Sequence, residues 1–106
     1  MGLFKKLFGQ KSVINEQLIG VWLTDPKDKL TISTLGNVKM VFSEKGDLIY
    51  DIIEGDKTQR INMTFRTEGD ILISDQPSHP KKERTKFEFE NKDRLILEFS
   101  GEKAVF

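Results

Sequence analysis

The 106-residue chain has no cysteine, a single histidine at His79, and one tryptophan and one tyrosine at Trp22 and Tyr50. Without cysteine there is no disulfide framework, thiol nucleophile or thiolate metal site, and one histidine cannot build a multi-histidine cage. Charge of one sign is also lacking: 17 Lys plus Arg meet 17 Asp plus Glu, so the formal net charge is zero. No global field exists to gather nucleic acid, which is excluded as a partner. Long apolar runs are missing as well. A spanning helix needs about 20 apolar residues and a secretory signal about 7–15, and Lys5, Lys6, Gly9, Gln10 and Lys11 break up the head of the chain. The expectation is a cytoplasmic protein without an export signal. Gly2 does not make a myristoylation signal, because Lys6 stands where that signal has Ser or Thr. No phosphate-cradling glycine loop, zinc-protease signature or nucleophile elbow occurs, so no cofactor and no enzymatic activity are expected.

What is present is 37% hydrophobic and 32% charged sequence, the balance of one globular domain. Residues 1–11 stand apart. Leu3, Phe4, Leu7 and Phe8 fall on one side of a short helix, with Lys5 and Lys6 beside them. This basic amphipath suits peripheral contact with an anionic membrane at the inner face, or docking onto the rest of the chain.

Residues 12–106 read as one domain of a different kind. A helical turn at Asn15 to Ile19 feeds a strand at Gly20-Val21-Trp22, and apolar side chains then recur at every second position. The runs are Leu30 and Ile32; Val38, Met40 and Phe42; Leu48, Tyr50 and Ile52; Ile61, Met63 and Phe65. They continue through Ile71 and Ile73; Phe87 and Phe89; Leu95, Leu97 and Phe99; and Ala104 and Phe106, with no helix between them. Turn residues separate them, as in Gly36-Asn37, Lys45-Gly46-Asp47, Gly55-Asp56, Gly69-Asp70, Lys92-Asp93 and Gly101-Glu102. Parallel strands need crossovers of about a dozen residues, so these short links predict an all-β, up-and-down antiparallel meander of about eight or nine strands. Closing it into a barrel would remove both exposed edges. The apolar, aromatic face then becomes the lumen, filled by its own side chains with little cavity left.

Gly20-x-Trp22 after one helical turn, the segment from Phe42 to Leu48 with its Gly46, and Asp93 to Leu97 followed by Gly101 to Phe106 carry a family likeness. Over Leu18 to Phe106 the chain resembles the small bacterial lipocalin-like domains of the calycin group. The resemblance implies an up-and-down barrel whose tryptophan, Trp22, closes one end against an arginine of a late strand, for which Arg94 is the counterpart. It also implies a small hydrophobic ligand in the lumen, with Trp22, Tyr50, Phe65, Phe87 and Arg94 as candidate binding residues.

Two further features bear on function. The longest connection, 75–84, holds His79 between Pro77 and Pro80 beside Lys81, Lys82 and Arg84, and reads as a solvated basic loop. With Met40, Phe42, Leu48, Tyr50 and Ile52 turned inward, Val41, Ile49 and Ile53 must point outward on adjacent strands. Such a cluster calls for a cover: the amphipathic head, a second copy or another protein. A second outer cluster of Ile96 and Val105 with Val21 or Leu23 follows if the last strand meets the first. The expectation is a non-enzymatic module that contacts a protein or membrane surface, the alternative being a binder of a small hydrophobic ligand.

Overall fold

The computed structural model describes residues 14–77, 82–98 and 101–106, together with the backbone of Phe99. The amphipathic segment with Leu3, Phe4, Lys5, Lys6, Leu7 and Phe8, the residue His79 and the side chain of Phe99 lie outside the described residues. The strands are β1 Gly20–Leu23, β2 Asn37–Phe42, β3 Asp47–Glu54, β4 Lys57–Glu68, β5 Ile71–Asp75, β6 Glu83–Asn91, β7 Arg94–Phe99 and β8 Glu102–Val105. They form one sheet in the order of the sequence, each antiparallel to the next. Among the described residues no helix is long and apolar enough to cross a membrane.

The sheet is strongly curled. Trp22 of β1 and Phe89 of β6 are five ladders apart, about 24 Å in a flat sheet at ~4.8 Å per strand, yet their ring centroids are 6.0 Å apart. The strands feed a single core from Trp22, Val38, Met40, Phe42, Leu48, Phe65, Leu72, Phe87, Leu95, Leu97, Ala104 and Phe106. The result is a half-barrel. No ladder joins β1 to β8 among the described residues; the seam is held by other means. The Asp25 N–H donates to the Val105 carbonyl (2.9 Å), and Arg94 Nη1 donates to Asp25 Oδ2 (2.7 Å).

In place of an expected strand through Leu30 and Ile32, the chain forms a helix, α1, over Lys29–Leu35. Asp28 caps its start by accepting the Thr31 N–H (3.1 Å), and Gly36 ends it at φ +74°, a conformation that favours glycine. Thr31, Ile32 and Thr34 are β-branched and poor helix formers, so tertiary contact sets the outcome. The fully buried Thr31 accepts the Val105 N–H at its hydroxyl (2.8 Å), and α1 thereby lies along β8. Val105 is consequently buried beneath α1 rather than exposed beside Val21 and Leu23, which corrects the expected second outer cluster.

A second correction concerns β5. Ile71 and Ile73 are not its lumen residues. The register sets Leu72 opposite Thr67 and Ser74 opposite Phe65, so Leu72 and Ser74 share the face of Phe65. Three consecutive apolar residues, Ile71 to Ile73, leave the phase open in the sequence, and pairing with β4 decides it.

Candidate functional site

An up-and-down sheet sends alternate turns to alternate ends, and here the two ends differ. The 43–46, 69–70 and 92–93 turns gather at one end, which the turn Glu16–Leu18 crosses before β1. Leu18 is completely buried there, and its carbonyl accepts the Trp22 indole N–H (2.9 Å). Phe42 and Phe65 pack edge to face at 4.9 Å between centroids, as do Phe87 and Phe89 at 5.8 Å. Gly46 must come close for this end to shut: its carbonyl accepts the Phe65 N–H (2.9 Å) at a φ of +91°. This end is solid.

Toward the other end the lumen is hollow. A cavity of about 250 Å³ is walled by Met40, Leu48, Tyr50, Ile61, Met63, Leu72 and Leu97, with Ser74, Gln76, Glu83 and Thr85 supplying polar groups. Six strands, β2 to β7, contribute to the wall. Volumes near 150 Å³ hold a benzene ring and drug-sized sites run to about 300–1,000 Å³, so the space suits one ring with short substituents. Burial, and secondarily the Glu83 carboxylate, raise the Tyr50 phenol above its ordinary value, which keeps it a hydrogen-bond donor. Larger hollows of about 500 and 400 Å³ lie outside the sheet, one beside Ile14, Glu16, Ile19 and Glu44 and one along β1. The lumen cavity, by contrast, is built by inward side chains of the sheet.

Of the residues expected to bind a ligand, Tyr50 lines this cavity. Trp22, Phe65 and Phe87 belong to the packed core. Arg94 bridges the seam through Asp25 and also meets Glu90. The Asp25 carboxyl is held below the usual range by the Lys27 backbone N–H, with further help from the Arg94 guanidinium. The wall residues Ser74 and Thr85 did not stand out in the sequence. Their signal was two small hydroxyls in the inward phase, Ser74 after Leu72 and Thr85 before Phe87, where large apolar groups would otherwise fill the lumen.

The expected outer patch is in place but modest. Val41 pairs with Ile49, and both are half-buried, as is Ile53 farther along β3. Val21 of β1 continues the Val41–Ile49 row and is 58% exposed, and among the described residues Leu23 and Leu30 are the other large apolar residues in the open. No cluster of three or more His, Cys, Asp or Glu side chains placed to hold a metal ion occurs among the described residues. Compared with known proteins, the chain matches no family model, no curated protein and no solved structure.

Proposed function

We propose that the protein is a non-enzymatic, lipocalin-like binder of a compact, mainly apolar small molecule, received in the lumen at the open end of the half-barrel. The observation that carries this reading is the contrast within one lumen: aromatic side chains fill one end, while the other holds about 250 Å³ of space with an apolar wall and a few polar groups. A core built only for stability would close such a space, because voids lose contacts at roughly 24 cal/mol per Å³. Met40 and Met63 in the wall add a side chain that adapts to varied ligand shapes. Tyr50, Ser74 and Thr85 orient a ligand that carries one polar end.

This puts the lumen ahead of the surface-contact reading. Val41, Ile49 and Ile53, the outer patch that reading drew on, are half-buried. Titration calorimetry with indole, benzyl alcohol and 1-hexanol tests the proposal. Saturable binding of at least one probe is expected, and it is lost in Met63→Trp, which fills the cavity from a half-buried wall position. Absence of saturable binding by all three, or undiminished binding to the filled variant, would overturn the reading.

A further inference from the structure

The lumen face of β6 changes character along its length. From the open end inward it reads Glu83, Thr85, Phe87 and Phe89, so polarity falls toward the closed end. Beside it Gln76 and Ser74 stand at the mouth and Leu72 lies deeper. Among the described wall residues Glu83 is the one group charged at neutral pH. The cations that flank it in sequence belong to the outer face: Arg84 pairs with Ile73 and bonds Glu68 (3.3 Å), and Lys82 lies in a hollow with Arg66, Ile73 and Asp75. Tyr50 stands on β3, three ladders from β6 and about 14 Å away in a flat sheet at ~4.8 Å per strand. Yet, after burial, the Glu83 carboxylate is what raises the Tyr50 phenol. The curl brings both groups into one mouth.

We infer that the ligand of the lumen is a compact primary amine, its ammonium set against Glu83 at the mouth and its apolar body among Met40, Met63, Leu72 and Leu97. This rests on the lumen-binding function proposed for the protein and names the polar end of the ligand. An ammonium donates three hydrogen bonds, and Glu83, Ser74, Gln76 and Thr85 supply acceptor oxygens on one side of the wall. A carboxylate offers about four acceptor positions, so Glu83 takes an ammonium in addition to the contacts it already makes. Glu83 is exposed, so the bound ammonium keeps water on one side and escapes the cost of full desolvation. A ligand carboxylate in the same place would meet like charge.

Calorimetric titration of the full chain near neutral pH with benzylamine, benzyl alcohol and phenylacetate tests the inference, because these share a ring and a methylene and differ in the charge of the polar end. Benzylamine is expected to bind about fivefold more tightly than benzyl alcohol, and phenylacetate about fivefold more weakly or not at all. Added salt narrows the gap, since the pair is open to solvent. In Glu83→Gln the ratio of amine to alcohol affinity falls to about one. Benzyl alcohol binding as tightly as benzylamine, or more tightly, would overturn the inference while leaving the lumen function in place. So would a ratio that survives in Glu83→Gln. If no probe of the series binds, the lumen function fails and the inference falls with it. The ratio and its salt dependence in the unaltered chain decide the matter even if the variant fails to fold.

Discussion

The closed and open ends of the half-barrel are made by the same strands yet do different work. At the closed end Leu18, Trp22, Phe42 and Phe65 are buried in one cluster, and a turn and a tight glycine cross the bottom. At the open end Met40, Met63, Leu72 and Tyr50 surround space, and small hydroxyl residues stand where bulk would fill it. Large buried side chains are thus concentrated at one end, and the other is where the proposed ligand would sit. The divide follows from side-chain size in the inward phase, since backbone pairing is continuous from β1 to β8.

Substitutions at the two ends should separate them sharply. Trp22→Ala removes a buried ring and the indole bond to Leu18, and should cost about 3–5 kcal/mol in urea unfolding. Met63→Ala enlarges a space that already exists at a half-buried site, and should cost only about 1 kcal/mol. Equal losses at both positions would erase the distinction between the ends.

The seam is the next test. Thr31→Val keeps the shape of the side chain but leaves the Val105 N–H buried without its acceptor, for an expected loss of about 1–3 kcal/mol. Asp28→Ala removes the α1 cap and should cost about 1 kcal/mol. Stability unchanged in both would mean that α1 contributes nothing to holding β8.

Smaller effects should appear in the pH dependence, with opposite signs at the two ends of the scale. Asp25 has a folded pKa below its unfolded value of ~3.9, so its contribution is complete above that value and disappears as the pH falls through the folded pKa. Asp25→Asn should flatten the acid limb of a stability profile. Tyr50 has a folded pKa above its unfolded value of ~10, so the unfolded chain loses its proton first and stability falls as the pH rises past 10. Tyr50→Phe should remove that alkaline decline, and an unchanged profile would argue against a buried phenol at the cavity.

Much of the sheet was legible because its signals are local. Turn residues such as Gly46-Asp47 and Gly69-Asp70, and period-two runs such as Val38, Met40 and Phe42, fix the meander and the inward phase of seven strands. The helix α1 was hidden because Leu30 and Ile32 imitate alternation, and what makes the segment helical is distant: Thr31 meets Val105, 74 residues away. β5 was misphased because Ile71, Leu72 and Ile73 carry no alternation to read. The cavity was harder still. A lumen rich in phenylalanine suggests a filled barrel, but the rings collect at one end, and only the strand registers reveal that Ser74 and Thr85 face the space left at the other.

The most direct test of the division between the ends is an NMR titration with indole that follows the methyl groups of Met40 and Met63 alongside the Trp22 indole N–H. Met40 and Met63 line the cavity, and Trp22 seals the opposite end. The account predicts saturable shifts at both methyl groups with the Trp22 resonance nearly stationary. A saturable shift at Trp22 with the two methyl groups unmoved would contradict it.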